Sequence, residues 1–255
     1  MAFSPEERTR YSRQLNLAGF GGLAQNQLRT GRVLVVGCGG LGSPALAYLA
    51  AAGTGMLGFV DSDIVELSNL QRQILHSTHD IGRLKVESAE THLRALNPHI
   101  TLVPHALRLS SENARELFAP YDIILDATDN FEAKYLIADT CAILNKPYVY
   151  GGLYEFSGQL LSVIPGQSAC LRCLFPERPS TEAVPPTGST GPLGAIPGVI
   201  GSLQAVEAIK YLTRIGSLHT NSLLVYDGLA AEFRSVRAKP NPACASCGST
   251  VPHKE

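Results

Sequence analysis

Near the start of the chain, an apolar strand leads directly into a glycine-rich turn and a helix of small residues. The segment RVLVVG (32–37) is continuously apolar, as expected for a central parallel strand that is covered on both faces. The turn and the helix follow at once in GCGGLGSPALAYLAAAG (37–53). A unit of this kind predicts a layered fold of helices and strands, with this strand in the middle of a sheet.

The same alternation of strand and helix continues to residue 152. Further strands are predicted at MLGFVD (56–61), ITLVPHAL (100–107), DIILDAT (122–128) and PYVYGG (147–152), with helices at 83–97, 110–119 and 130–145. This pattern predicts an α/β fold with a doubly wound, Rossmann-like, mainly parallel sheet.

The pattern changes after residue 152. EFSGQLLSVI (155–164) resembles an antiparallel strand, 198–216 is a periodic helix, and NSLLVYDG and EFRSVRA form a predicted hairpin. We expect these antiparallel C-terminal strands to extend the same sheet within one domain. Residues 176–198, which are rich in Pro, Gly, Ser and Thr, predict a mobile loop.

The N-terminus begins with a helix signal. Ser4 can cap the helix, Pro5 suits its first position, and Glu7 completes a capping box. The helix is expected to continue to about Gly19.

Composition argues against several classes of function. The net charge is −1, so we expect no nucleic-acid binding. The polar N-terminus does not resemble a signal peptide, and the longest apolar run (45–52) is too short to cross a bilayer. We therefore expect a cytoplasmic protein with no membrane partner. Charged residues make up only 17%, which predicts much buried surface or an oligomer interface.

The glycine turn and the next strand end predict a nucleotide site. Gly37, Gly39 and Gly42 have the G-x-G-x-x-G spacing, which lets helix N–H groups approach a phosphate. Asp61 ends the second strand, where a carboxylate can accept from a ribose hydroxyl. A glycine turn that only packs the helix on the strand is the alternative.

Further charged and polar residues follow the strand ends, where ligands bind in such sheets. They are Asn69 and Arg72, Arg83 and Lys85, and Asp126 and Asp129. Cations here could hold β- and γ-phosphates, and an aspartate could hold Mg²⁺. A nicotinamide cofactor needs no such cluster, so the pattern favours a nucleoside triphosphate.

Four of the six cysteines form two C-x-x-C pairs, Cys170–Cys173 and Cys244–Cys247. In a cytoplasmic protein such pairs favour a metal over disulfides, and two pairs suit tetrahedral Zn²⁺ in a closed structural site. A redox dithiol is the alternative.

The remaining cysteines and two neighbouring histidines have simpler interpretations. Cys38 in the glycine turn and Cys141 on an apolar helix face are predicted to be inert packing residues. His76 and His79 are interpreted as parts of a polar loop rather than as metal ligands.

The chain contains the motifs RYSRQ, GCGGLGSP, DSDIVELSNLQRQ, IGRLKVESA, DATDNF and GSLQAVEAIK, together with the two C-x-x-C pairs. Taken together, these motifs resemble the ThiF/MoeB/HesA family, the prokaryotic relatives of ubiquitin-activating enzymes. The resemblance covers about residues 10–247. It implies a single adenylation domain over 1–255, with N-terminal helices (1–30), a nucleotide-binding half (31–152) and a carrier-binding and zinc half (153–255).

The family activity implied is ATP-dependent adenylylation of the C-terminal Gly-Gly of a small β-grasp sulfur-carrier protein. The acyl-adenylate then serves thiocarboxylate formation, with sulfur from a separate donor, a cysteine desulfurase or a rhodanese. Alternatives are a family member that activates another substrate, such as a tRNA nucleoside, a nicotinamide-dependent oxidoreductase, and a non-catalytic scaffold.

The resemblance also assigns roles to residues. Asp61 would bind the ribose, Gly39 and Gly40 would lie along the nucleotide, and Asp129 would hold Mg²⁺. Arg13 would reach the nucleotide of the opposite subunit in a two-fold homodimer. The predicted catalytic residues are Arg13, Arg72, Lys85 and Asp129. The predicted nucleotide-binding residues are Gly37, Gly39, Gly40, Gly42, Asp61, Asn69, Arg72, Lys85, Asp129 and Asn130, with Asn69, Arg72 and Lys85 at the phosphates.

One family feature is missing from this sequence. Many members carry a cysteine in the loop after the first C-x-x-C pair, whereas no cysteine lies between Cys173 and Cys244. The nearby hydroxyls of Thr187, Ser189 and Thr190 are poor nucleophiles without an adjacent base. We therefore predict that the enzyme forms no covalent intermediate with its carrier and stops at the acyl-adenylate.

Overall fold

Eight strands form one mixed sheet in the computed structural model, which describes residues 2–179 and 191–248. The strands are β1 (Arg32–Val36), β2 (Met56–Val60), β3 (Thr101–His105), β4 (Ile123–Asp126), β5 (Tyr148–Tyr154), β6 (Ser157–Val163), β7 (Ser222–Asp227) and β8 (Glu232–Arg237). Their spatial order is β3-β2-β1-β4-β5-β6-β7-β8.

The predicted change from parallel to antiparallel pairing is confirmed. The strands from β3 to β5 in this order are all parallel, and β6, β7 and β8 are then added in antiparallel pairs. The last two form the predicted hairpin. The C-terminal half therefore extends the same sheet.

Helices surround the sheet in the described parts of the chain. They are α1 (Pro5–Arg10), α2 (Ser12–Leu15), α3 (Gly21–Thr30), α4 (Gly42–Ala52), α5 (Lys85–Leu96), α6 (Ala114–Phe118), α7 (Phe131–Ile143), α8 (Leu171–Leu174) and α9 (Ala195–Thr213). No helix among the described residues is long and apolar enough to span a membrane.

The core consists of two apolar layers, one on each face of the sheet. Successive residues of β1 point to opposite faces, so Val33 and Val35 pack in the layer with α4, α5 and α9. Leu34 and Val36 pack in the other layer, with α6 and α7. Burial on both faces explains why β1 is apolar throughout.

The N-terminal helix is shorter than predicted. The capping box of Ser4 and Glu7 is present, but α1 ends at Arg10 and a second short helix follows. Tyr11 stands at the break, where its side chain is buried beside Gly53 and its hydroxyl accepts from Asn97 Nδ2 at 2.8 Å. These contacts anchor the turn between α1 and α2 on the core.

Two other boundaries differ from the prediction. Helix α6 begins at Ala114 rather than near Ser110, because Asn113 Oδ1 accepts from the Ser110 N–H in the turn before it. Helix α9 begins at Ala195, so the last residues of the predicted loop 176–198 are helical. The central part of that loop, with Thr187, Ser189 and Thr190, lies outside the described residues.

Candidate nucleotide site and cysteine cluster

Three parallel strands end side by side at one edge of the sheet. Val36 of β1 pairs with Val60 of β2 and with Asp126 of β4. The next residues along the chain are the glycine turn, Asp61 and the segment 127–130. This carboxyl edge is where doubly wound sheets bind ligands, so it is the candidate nucleotide site.

The glycine turn requires glycine at two of its positions. Gly37 has a φ of +103°, and a Cβ there would lie 2.6 Å from the carbonyl oxygen of Ala127. A Cβ at Gly42 would lie 1.9 Å from the carbonyl oxygen of Gly37. Both glycines therefore allow the turn to pack against β4 and against α4.

Gly39 and Gly40 face two other segments of the chain. A Cβ at Gly39 would lie 3.5 Å from Gln73 Nε2, and one at Gly40 would lie 3.1 Å from Pro197 of α9 and 3.4 Å from Arg72 Cγ. Gln73 is buried, and its Oε1 has no hydrogen-bond partner in the described structure. The sequence did not identify this residue, which adds a buried polar side chain beside the turn.

Asp61 links β2 to the glycine turn. Its Oδ2 accepts from the Cys38 N–H at 2.8 Å and its Oδ1 from the Asp63 N–H at 2.9 Å. Each carboxylate oxygen retains a further lone pair, so the side chain can still accept from a ligand hydroxyl. The position suits the predicted ribose contact.

Lys85 lies at the start of α5 and forms an ion pair with Asp63. Its Nζ is 2.8 Å from Asp63 Oδ2, and the lysine is buried whereas the aspartate is exposed. Burial of an ammonium group requires such a partner. The carboxylate side of this ion pair therefore faces solvent.

Asn69 and Arg72 lie in the turn that precedes Gln73. Asn69 is buried, and its Oδ1 accepts from the Glu66 N–H at 3.2 Å. Arg72 lies along Gly40 and donates from Nη1 to the Ser68 carbonyl at 3.1 Å. The structure therefore brings a cation next to the glycine turn, as the sequence predicted.

Asp126 is not available to a metal ion. It is buried, and its Oδ1 lies 3.2 Å from Lys134 Nζ and accepts from Thr128 Oγ1 at 2.6 Å. Asp126 was predicted as a ligand candidate, whereas no role was predicted for Lys134. A lone lysine among the apolar residues of α7 was the signal that could have identified this internal ion pair.

The side chains of Asp129 and Asn130 differ in their hydrogen bonds within the fold. Asn130 caps α7, because its Oδ1 accepts from the Ala133 N–H at 2.9 Å. Asp129 is exposed and has only a 3.5 Å contact with Asn130 Nδ2 among the hydrogen bonds of the described residues. Asp129 is thus a free carboxylate at this edge of the sheet, among the residues that the structure describes.

Arg83 does not join the other cations. Its Nη1 donates to Asp80 Oδ1 at 2.7 Å, and its Nη2 donates to Thr91 Oγ1 at 3.2 Å. The guanidinium group therefore stabilises the turn before α5, and the predicted phosphate contact from Arg83 is not supported.

Arg13 lies far from the glycine turn of its own chain. It is exposed on α2, and it forms no ion pair with any described residue. The adjacent Gln14 donates to the carbonyl of Ala52, at the C-terminal end of α4. Because the glycine turn lies at the other end of this helix, about 15 Å away at 1.5 Å per residue, Arg13 is not brought together with the other predicted residues.

His76 lies in a loop, as predicted, but it is buried within the fold. The side chain is buried, with Nε2 2.9 Å from the Cys38 carbonyl oxygen and Nδ1 2.8 Å from Ser88 Oγ. Burial lowers its pKa. No local pattern indicated this contact, since Cys38 precedes His76 by 38 positions. His79 is exposed, as expected for a loop residue.

Cys38 and Cys141 are packing residues, as predicted. Both are fully buried, and burial raises the pKa of each thiol well above its ordinary value. Neither side chain can supply a reactive thiolate in this environment.

The four paired cysteines converge on one point. Their Sγ atoms all lie within 4.8 Å of one another. Cys170 Sγ is 3.8 Å from Cys173, 3.6 Å from Cys244 and 3.3 Å from Cys247. Tetrahedral zinc with bonds of about 2.3 Å needs sulfur–sulfur distances of about 3.8 Å, so the donor set fits Zn²⁺. Convergence of both pairs favours this closed site over a redox dithiol.

Comparisons with known proteins identify the family of this chain. Residues 11–246 match the ThiF family. A sulfur carrier protein adenylyltransferase of Thermus thermophilus is 44% identical over 260 residues, which cover 100% of this chain and 96% of that protein. A SAMP-activating enzyme E1 of Haloferax volcanii is 44% identical over 239 residues, covering 94% of this chain and 88% of that protein.

A solved structure has the same fold. The crystal structure of E. coli MccB with ATP has a TM-score of 0.83 at 23% identity, covering 93% of this chain and 74% of that chain. At this level of identity the likeness concerns the fold alone.

Proposed function

The chain belongs to the ThiF family, and we propose that it adenylylates the C-terminal Gly-Gly carboxylate of a small ubiquitin-like sulfur-carrier protein. The named activity of the Thermus thermophilus relative, which matches this chain almost end to end, supports the substrate class. ATP is consumed, and the products are pyrophosphate and the acyl-adenylate that serves thiocarboxylate formation.

One observation carries the proposal. Asp61 and Arg72 lie beside the glycine turn, Lys85 pairs with Asp63 two residues beyond Asp61, and the free carboxylate of Asp129 follows the adjacent strand end. Two cations and a free carboxylate suit a triphosphate with its metal ion. They supply nothing that hydride transfer from a nicotinamide cofactor needs.

The chemistry needs no general base. A C-terminal carboxylate has a pKa of about 3.5, so it is already a nucleophile at neutral pH. Asp61 would accept from the ribose, Gly39 and Gly40 would lie along the nucleotide, and Arg72, Lys85 and Asn69 would contact the phosphates. Asp129 would hold Mg²⁺ together with phosphate oxygens. The protein thus orients the α-phosphorus and stabilises the departing pyrophosphate.

A homodimer with shared sites would complete this set. Arg13 is exposed about one helix length from its own glycine turn, so in the proposal it serves the nucleotide of the opposite subunit. Mixing inactive Arg13→Ala and inactive Asp129→Ala subunits should restore part of the activity. No recovery despite subunit exchange would remove Arg13 from this role.

The cysteine cluster would hold a structural Zn²⁺. The ion would join the start of α8 to the C-terminal segment and thereby fix one end of the carrier-binding half. Metal analysis of Cys244→Ala should show lost zinc, and full occupancy in this variant would contradict the assignment.

We also propose that the reaction of this protein ends at the acyl-adenylate. The two cysteines outside the cluster are buried with raised thiol pKa values, so neither can form a thioester without unfolding around it. Sulfur would then come from a separate donor, a cysteine desulfurase or a rhodanese. A thiol-sensitive enzyme–carrier adduct in intact-mass spectrometry would exclude this.

The deciding experiment is ATP–pyrophosphate exchange with a carrier protein that ends in Gly-Gly. We expect exchange that depends on the carrier and is lost when its last glycine is removed. A matched Asp129→Ala variant should retain the fold and lose exchange. Exchange that is stimulated by a tRNA instead, or thermal stabilisation by NAD rather than Mg·ATP, would overturn the proposal.

A further inference from the structure

Side chains hold both backbone groups of Cys38 in the glycine turn. The N–H donates to Asp61 Oδ2 at 2.8 Å, and the carbonyl oxygen lies 2.9 Å from His76 Nε2. These two contacts fix the orientation of the peptide groups on both sides of Cys38. One of them comes from the residue proposed to bind the ribose.

The acceptor determines the tautomer of His76. A carbonyl oxygen only accepts, so Nε2 must carry the proton and donate to Cys38. In the neutral ring Nδ1 is then an acceptor to which Ser88 Oγ, 2.8 Å away, can donate, and the same hydroxyl is also a hydrogen-bond partner of Asp80. Burial, which lowers the pKa of His76, favours this neutral form.

The ring also joins two parts of the candidate site. Ser88 lies on the first turn of α5, and Lys85 is the first residue of the same helix. His76 therefore connects the glycine turn to the helix that carries the proposed phosphate-binding lysine. His76, Ser88 and the Cys38 side chain are all buried, so water is poorly placed to replace these hydrogen bonds.

We propose that His76 is a positioning residue for the nucleotide: it holds the Cys38 peptide against Asp61 and holds the start of α5 beside the turn. The inference rests on the proposed nucleotide site and adds a residue that touches neither the nucleotide nor the carrier. Loss of the Nε2–H donor should loosen the turn and weaken ATP binding. It should leave the groups that act on the reacting phosphorus in place.

Three substitutions at position 76 test whether His76 acts through its hydrogen-bond donor or only by filling space. Gln places its amide nitrogen at about the reach of His Nε2, so His76→Gln keeps a donor for the Cys38 carbonyl. His76→Asn is too short for this contact, and His76→Ala removes it. His79→Ala is the matched control, because His79 is exposed three positions away.

The measurements are KM for ATP and kcat in carrier-dependent pyrophosphate exchange, together with Kd for Mg·ATP and the melting temperature. Leaving a buried carbonyl without its donor should raise KM and Kd for ATP by roughly tenfold in His76→Ala and His76→Asn. We expect kcat to change by less than about twofold, and His76→Gln and His79→Ala to stay near the wild type. Ser88→Ala, which keeps the His76–Cys38 contact, should give an intermediate rise.

Other outcomes overturn the inference. Affinities in His76→Ala and His76→Asn that equal those of His79→Ala would exclude a positioning role. A lower melting temperature or kcat with unchanged KM would mean that His76 serves the fold alone. Equal defects in His76→Gln and His76→Ala would show that loss of the hydrogen-bond donor does not cause the weaker ATP binding. If His76→Ala fails to fold, the Kd values of His76→Gln and Ser88→Ala for Mg·ATP still test the inference.

The measurement of Mg·ATP binding also distinguishes a failure of this inference from a failure of the proposed function. If the wild-type protein binds Mg·ATP but shows no exchange with any Gly-Gly carrier, the proposed function fails. The expected order of Kd values would then still support the role of His76. If the wild-type protein binds no ATP, both proposals fail.

Discussion

Two buried lysines form ion pairs with aspartates at the carboxyl ends of β2 and β4, the strands on either side of β1, and the two pairs differ in one respect. Lys85 and Lys134 have side chains that are only 8% and 7% exposed. The aspartate partner of Lys85, Asp63, is 67% exposed, whereas the partner of Lys134, Asp126, is 1% exposed. One pair can therefore open toward solvent and the other cannot.

The surroundings of the pairs strengthen this contrast. Lys134 also donates to the Gly151 carbonyl and lies 4.9 Å from the centre of the Tyr150 ring, so it ties α7 to β4 and β5. Lys85 has only Asp63 as an ion-pair partner within the described structure. A buried cation with an exposed partner suits anion binding, whereas one with a buried partner suits a structural role, because removal of either member leaves an unpaired buried charge.

The largest expected effect concerns the closed pair, Lys134 and Asp126, and the pair of Lys85 and Asp63 is the open pair. Asp126→Asn leaves Lys134 charged, buried and unpaired, so we expect the free energy of unfolding to fall by about 3–5 kcal/mol. Urea denaturation measures this change. Lys134→Met is the matched variant, in which the buried negative charge of Asp126 remains without its partner. A loss in Asp126→Asn no larger than that in Asp63→Asn would remove the contrast between the pairs.

The next effect concerns catalysis at the open pair. Lys85→Met keeps the aliphatic stem and removes the ammonium group, and the exposed Asp63 left behind remains hydrated. We expect the rate of pyrophosphate exchange to fall by about 10²–10³, by analogy with the loss of a charge-stabilising donor, with little change in stability. A variant that is unstable but retains its specific activity would assign Lys85 to the fold instead.

A smaller effect is expected for Asp63→Asn. Lys85 then loses its ion-pair partner, but the exposed position of that partner lets water approach the ammonium group, so the free energy of unfolding should fall by less than in Asp126→Asn. Because Asp63 competes with phosphate for Lys85, KM for ATP should stay unchanged or decrease. An increase in KM of tenfold or more would indicate that Asp63 itself contacts the ligand or its metal ion.

The smallest effect is a pH dependence near the open pair. Lys85, Asp80 and Asp61 act electrostatically on His76, its Nε2 contacts the Cys38 carbonyl, and burial lowers its pKa below the ordinary value of 6.5. The unfolded chain then binds more protons, so this contribution to stability is complete above pH 6.5 and is lost as the pH falls below it. Urea midpoints at several pH values test this, and His76→Gln should show a weaker acid dependence. An identical dependence would exclude His76 as its source.

The parts that the sequence predicted well depend on local patterns. The glycine spacing, the apolar strand before it and Asp61 at the next strand end lie within thirty residues of one another, and parallel pairing brings them together. The closing hairpin and the convergence of the two C-x-x-C pairs are also confirmed. Each follows from spacing or from strand periodicity.

The differences involve contacts between distant segments. Tyr11 breaks the N-terminal helix through a contact with Asn97, which is 86 positions away. The contact between His76 and Cys38, which are 38 positions apart, was not predicted. Arg83 looked equivalent to Lys85 in sequence, but its guanidinium group is taken up by Asp80.

The sequence by itself determined the order of strands and helices, the glycine turn, the ribose-binding candidate and the cysteine ligands, because spacing and alternation encode these features. Only the tertiary structure decided which charged groups remain available. Asp126 and Asp129 are three positions apart, yet Asp126 forms an ion pair inside the core and Asp129 is free at the surface. The availability of a charge depends on the burial of its partner, and that is set by packing between elements that no local pattern records.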